Sequence, residues 1–173
     1  SIAIYFYIYG VYLFFDFAGY SNMAIGASYI FGVRTPENFN APFVSKDIKE
    51  FWNRWHMTLS FWFRDFLFSR ITMALVRTRK IKNKLVIASI AFMINMFVMG
   101  VWHGLELNYI VYGLYHGVLL SACEIFQKKS KFYKAHKKDK WFMGVSWFIT
   151  LHLVMFGFFI FSGRLGILLS SQG

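Results

Sequence analysis

Acidic residues, cysteines and prolines are all scarce in this chain. Of its 173 residues, 8 are Asp or Glu, two are proline and one, Cys123, is a cysteine. A single cysteine excludes an internal disulfide and suggests no metal cluster. Lying inside an apolar run, Cys123 reads as small-residue packing. No Ser-His-Asp motif, GxSxG elbow, P-loop or HExxH helix is present. If the protein is an enzyme, histidine is then the natural general base, because its ordinary pKa of about 6.5 suits proton removal near neutral pH. The chain has no initiator methionine, and no charged segment precedes its first apolar run, as a signal peptide requires. It therefore reads as a fragment whose N-terminal part is missing.

What is plentiful is apolar surface. Hydrophobic residues make up 57% of the chain and aromatics 22%, with a mean hydropathy of +0.45. Such values point to an integral membrane protein. The formal net charge is +11, and twelve of the 19 basic residues fall in two runs, 77–84 (RTRKIKNK) and 128–140 (KKSKFYKAHKKDK). The runs punctuate apolar blocks rather than line one face. They read as solvated cytoplasmic loops under the positive-inside rule, not as a nucleic-acid surface.

Residues 1–33 carry one charge, Asp16. A single helix there is about 50 Å long against a hydrocarbon core of about 30 Å, so it is expected either to break, at Gly19, or to leave the membrane near 16–22, with Asp16 facing a protein interior. The segment 34–47 holds both prolines and reads as a loop, with Ser45 as N-cap of the next helix. In 46–70, Lys46, Lys49, Glu50, Asn53, Ser60 and Arg64 fall near one helical face. Apolar and aromatic residues fall on the other, which predicts an interfacial or partly re-entrant helix. Arg64 and Asp65 are adjacent and are not expected to pair with each other. Residues 85–102 and 109–126 form a helical hairpin with both basic runs at its open end, and 141–162 crosses once more. The tail 166–173 has no capping or amphipathic logic and reads as a remnant of uncertain origin.

Five histidines interrupt this pattern. His103, in VWHGLE, is flanked by Gly100 and Gly104, which allow close backbone approach. An intramembrane histidine of this kind is either catalytic or a neutral interhelical hydrogen-bond partner. His116 lies thirteen residues on and does not share a helical face with His103, so the two are poor candidates for a metal pair and His116 reads as structural. His56, in FWNRWHMTLS, has polar neighbours and suits either binding or packing. His136 belongs to the basic loop, and His152 to the core.

Four ordered blocks carry a resemblance: FDFAGYSNMAIG (15–26), ENFNAPF (37–43), FWNRWHMTLSFWFRDFLFSRI (51–71) and MGVWHGLELNYIVYGLYHG (99–117). Together they resemble the membrane-bound O-acyltransferase family, in its bacterial branch that acylates cell-envelope polymers. The resemblance implies an all-α integral membrane bundle, with interfacial or re-entrant helices around a funnel or tunnel. Residues 1–165 would be the C-terminal part of that single domain. It implies acyl transfer from a thioester to a hydroxyl, with His103 and His56 as the catalytic histidines: His103 the general base or hydrogen-bond catalyst toward the acceptor hydroxyl, His56 shaping the donor tunnel or orienting the acyl group. Trp52, Asn53, Arg54, Trp55 and Trp102 are the candidate lining of the donor tunnel. No cofactor is implied on the chain itself, since the phosphopantetheine thioester rides on a carrier protein.

Two chemistries of the branch compete. One moves D-alanine from an acidic carrier protein toward lipoteichoic acid or a relay membrane protein. The other O-acetylates alginate-type polysaccharides. The tripeptide SNM at 21–23, and FWNRWH rather than FWRRWH, resemble the first. The readings from other classes are a proton-coupled transporter, whose histidines relay protons, and a scaffold that only recruits the carrier.

Overall fold

The computed structural model describes residues 2–166, so the segment 166–173 lies outside the described residues except for Gly166. Among the described residues the chain is helical throughout, without strands. Helix α1 spans Ile2–Ile30, α2 Ile48–Trp52, α3 Met57–Trp62 and α4 Ser69–Thr78. A π-helical stretch, Phe63–Phe68, joins α3 to α4. Helices α5 (Lys84–His103), α6 (Leu107–Lys129), the short α7 (Lys131–His136) and α8 (Lys140–Phe161) complete the order.

Of these, α5, α6 and α8 are long and apolar enough to cross a membrane. Large apolar side chains remain exposed along them, among them Phe97, Val118, Phe148 and Ile149. A bilayer, unlike water, makes that exposure favourable, while the helices satisfy their own backbone polar groups.

The expected break in α1 does not occur. The helix runs through Asp16 and Gly19 and ends at Gly32, where φ is +74°. There Val33 N–H donates to Ser28 O at 2.9 Å and Gly32 N–H to Tyr29 O at 3.0 Å, the paired bonds of a Schellman stop. The stop signal is the glycine that can adopt the left-handed conformation with these bonds; Gly19, without them, is tolerated inside the helix. Asp16 is exposed, not turned inward.

The segment 46–70 is not one helix. It breaks at His56, whose backbone is left-handed (φ 44°, ψ 53°), and relaxes again into the π-helical stretch. The expected apolar face holds over the first half, where Ile48, Phe51, Trp52 and Trp55 are buried, and beyond the break Phe63 is still buried. Past the break the register is lost, and Trp62 and Phe66 are exposed. Within the π-helical stretch Arg64 Nε reaches Asp65 Oδ1 at 2.8 Å, contrary to expectation. Both side chains are more than half exposed, so the long guanidinium can fold back along the surface. The second basic run is not all loop either, because α7 occupies part of it.

The cap of α2 is Asp47, not Ser45. Asp47 Oδ1 accepts from the backbone N–H groups of Lys49 and Glu50, each at 2.9 Å, and its Oδ2 accepts from Gln127 Nε2 at 3.0 Å. Ser45 instead donates to Pro42 O at 2.6 Å. Asp47→Ala is therefore expected to destabilise the protein by about 1–2 kcal/mol. Thermal unfolding in detergent should show a clear drop for it and a smaller one for Ser45→Ala.

The hairpin of α5 and α6 is the tightest packing in the molecule. Gly100 and Gly113 face each other. A Cβ on Gly100 would lie 2.5 Å from Tyr109 O, and one on Gly113 would meet Met96 O. Small residues four apart, Gly113 and Gly117, let the backbones approach. Helix α8 is tied across α6 by Tyr115 Oη donating to Leu153 O at 3.0 Å and Asn108 Nδ2 to Phe161 O at 2.8 Å. The hairpin turn at 104–106 and both ends near the basic runs are thus at opposite ends of the bundle, as the sequence predicts.

Candidate functional site

His103 is the last residue of α5. Gly104 follows with φ +157°, and a Cβ there would sit 2.8 Å from the Tyr109 ring, so glycine is required for the chain to leave the helix. The imidazole is half-buried, edge-on to Phe161 (ring centroids 5.2 Å apart) and to Trp102 (4.9 Å). Neither ring nitrogen makes a hydrogen bond to the described residues.

His56 arrives from the other side, at the break between α2 and α3. Its left-handed backbone costs about 1–3 kcal/mol. It is held there by Met57 N–H donating to Asn38 O at 2.9 Å and Asn40 N–H to Arg54 O at 3.0 Å, a clamp between two loops. The Phe17 ring packs edge-on against the imidazole, 4.7 Å away. His56 lies outside the spanning helices. Burial, and after it the nearby His103, lowers its pKa to about 4, so it is a neutral imidazole at physiological pH.

The two histidines line one small cavity of about 60 Å³, walled by Trp52, Trp55, Tyr112 and Phe161 among others. Residues 47 apart in sequence are thereby brought to a common space. Two further cavities share its walls. Behind Trp52 lies one of about 230 Å³, lined by Lys49, Asn53, Asn95, Met96 and Met99 among others. Past His56 and Leu59 lies an open groove of about 410 Å³, bordered by Thr58, Trp62 and Trp102. The first lies toward the basic end, since Lys49 pairs with Glu124 and Gln127 near the C-terminus of α6. The groove lies toward the hairpin turn, where Trp102 is.

The residues expected to line one tunnel are therefore distributed. Trp52 and Asn53 line the inner cavity, Trp55 the histidine cavity and Trp102 the groove. Arg54 is committed elsewhere: it pairs with Glu50 at 2.9 Å and donates to Asn40 O at 3.1 Å. His116 is fully buried in the bundle. Its Nδ1 accepts from Trp52 Nε1–H at 3.3 Å. It holds the indole that separates the inner cavity from the histidine cavity. Gly157 leaves room for it, because a Cβ there would lie 2.6 Å from Nε2.

Sequence reasoning missed Asn95 and Asn38. Asn95 is buried, and among the described residues its Oδ1 has no partner. A lone amide side chain in a helix this apolar is a signal the sequence did contain. Asn38 touches His56 across a gap of 18 residues, and no spacing rule reaches that far.

The sequence profile of the membrane-bound O-acyltransferase family matches residues 1–163. The chain belongs to this family. It is 51% identical to the teichoic acid D-alanyltransferase of Bacillus subtilis over 161 residues, 93% of the chain and 41% of that protein. It is 46% identical to the teichoic acid D-alanyltransferase of Streptococcus thermophilus, over 92% of the chain and 40% of that protein. Similarity extends at 40% identity to a probable alginate O-acetylase AlgI of Pseudomonas fluorescens, over 86% of the chain and 27% of that protein. The chain thus spans about two-fifths of the D-alanyltransferases it matches. Within the family it carries both histidines on facing elements of one cavity, which makes that cavity the candidate active site.

Proposed function

We propose that the protein is a membrane O-acyltransferase that moves D-alanine from a phosphopantetheinyl carrier protein to hydroxyls of lipoteichoic acid or of a relay membrane protein. One observation carries this reading: the cavity holding His56 and His103 shares Trp52 with an inner cavity on the basic side. It shares His56 with an open groove on the turn side. A donor entering from one side and an acceptor from the other would meet at the histidines.

The basic runs 77–84 and 128–140 face the cytoplasm in this reading of a multi-pass cell-membrane protein, where they speed docking of an acidic carrier. The inner cavity fits a slender thioester arm with amide N–H groups. Its polar members Lys49, Asn53, Ser60 and Arg64, and Asn95 Oδ1, which has no partner among the described residues, offer hydrogen bonds along a wall of apolar side chains. His103 takes the proton of the acceptor hydroxyl as its oxygen bonds to the acyl carbon. The carbon–sulfur bond then breaks, and the proton passes to the departing thiolate.

The test is direct. Purified full-length protein in liposomes is given D-[14C]alanyl carrier protein or, separately, [14C]acetyl donors, with teichoic-acid or alginate-type acceptors. Label is expected on teichoic acid from the D-alanyl donor. Label from acetyl donors on polysaccharide would instead assign the O-acetylase chemistry, and solute flux without acyl transfer would make the protein a transporter.

A further inference from the structure

His56 is tethered through one nitrogen. Its Nδ1 lies 3.1 Å from Asn38 Oδ1. The same Asn38 atom is met by Thr58 Oγ1 at 2.7 Å and by the Thr58 backbone N–H at 3.4 Å. A backbone N–H donates and never accepts, so the Asn38 atom in this cluster is its carbonyl oxygen. The amide nitrogen lies on the other side, donating to Ser21 Oγ at 3.1 Å. An amide oxygen only accepts, so the ring nitrogen that faces it carries the proton. Among the described residues His56 Nε2 has no hydrogen-bond partner.

We infer that Asn38 is a positioning residue that fixes His56 as the Nδ1–H tautomer and leaves the Nε2 lone pair free for substrate in the cavity shared with His103. The inference rests on the acyl-transfer reading above and sharpens it. An imidazole protonated at Nε2 would donate toward the thioester carbonyl oxygen. One protonated at Nδ1 offers Nε2 as an acceptor, and so takes the hydrogen bond of the incoming hydroxyl. His56 then orients the acceptor rather than the acyl group. Which nitrogen of a histidine is free is set by the bond the other makes. Here that bond belongs to a side chain on a loop already clamped to the His56 break by Met57 N–H to Asn38 O. Ser21 on α1 and Thr58 on α3 hold the amide from two further elements, and a flipped amide would set its own N–H groups against the Thr58 backbone N–H, which can only donate.

Among the described residues no carboxylate, lysine or arginine lines the two cavities that His56 faces. The titratable groups there are His103 on α5 and Tyr112 on α6. A carboxylate placed at position 38 would thus be the one nearby anion. The test uses the full-length protein in nanodiscs with 15N-labelled histidine, His56 being assigned by difference against His56→Gln. The wild-type spectrum is expected to show His56 protonated at Nδ1 and bare at Nε2. Asn38→Leu is expected to shift it toward the Nε2–H form and to lower kcat about 10- to 100-fold, by analogy with the loss of the partner that orients a metal-bound histidine, with little change in KM for the donor. Asn38→Asp is expected to stabilise the imidazolium and move the acid limb of the kcat–pH profile up by about 1–3 units. A wild-type His56 already protonated at Nε2, or a tautomer unmoved in Asn38→Leu, would overturn the inference. The wild-type spectrum decides the first point even where a variant fails to fold. It needs no turnover, so failure of the wild-type protein to transfer D-alanine would sink the functional reading separately.

Discussion

His103→Ala is expected to lower D-alanyl transfer by about 10²–10⁴-fold, the range supplied by a positioned general base. The residue sits at the end of α5, half-buried, with no hydrogen bond to the described residues. Its removal therefore leaves no buried polar partner unpaired, and the backbone turn beside it is made by Gly104. Membrane insertion and thermal stability should change little. That separates the prediction from a folding defect: the measurement is kcat on protein that is normally abundant and melts normally. His116→Ala offers the contrast. It strips Trp52 of its acceptor and leaves a void in the fully buried core, so it should lower the melting temperature as well as turnover. Transfer within a few-fold of wild type in His103→Ala would exclude His103 as the base.

Much of the bundle was legible because its signals are periodic or compositional. The hairpin of α5 and α6 followed from two apolar blocks, a short polar link and basic runs at both free ends. The close approach at Gly100 followed from the absence of a side chain. What escaped was set by tertiary contacts. The break at His56 has no glycine or proline to announce it. It exists because the loop at 38–40 pairs with the backbone at 54–57, and no pattern within 46–70 encodes that loop. Once the helix breaks there, the polar face read from 46–70 is kept only in part: Lys49, Asn53, Ser60 and Arg64 still line the inner cavity, but their ion pairs are set by other elements. Lys49 turns to Glu124, Glu50 to Arg54, and Arg64 to its neighbour Asp65. The error at Asp16 has the opposite origin. Gly19 permits a bend but does not impose one, whereas the Schellman bonds at Gly32 do end the helix. The two histidines were found by resemblance, and their meeting in one cavity needed the fold.

The second large effect is expected at a glycine of the α5–α6 interface. Gly113 on α6 packs against the carbonyl of Met96 on α5 and, across the interface, against Gly100. Both neighbours are backbone, so a side chain at 113 cannot be met by a rotamer change. The helices must move apart. Gly113→Val should therefore destabilise the protein by at least about 1–3 kcal/mol, the usual cost of overpacking, and should do more where separation also strips the hairpin of its contacts. The same movement carries His103, one turn beyond Gly100, away from His56, and a displacement near 1 Å costs on the order of 10² in rate. Gly144 on α8 is the matched control. Nothing lies within 4 Å of a Cβ built there, and its backbone is helical. Gly144→Ala should be neutral or stabilising by about 0.5–1 kcal/mol, because alanine restricts the unfolded chain. Unfolding temperature and transfer rate, measured on both variants in the same detergent, distinguish a demand for glycine at one interface from a general cost of altering helix glycines. If Gly113→Val melts and turns over like Gly144→Ala, the two helices are not in backbone contact and the placement of His103 by this hairpin fails with it.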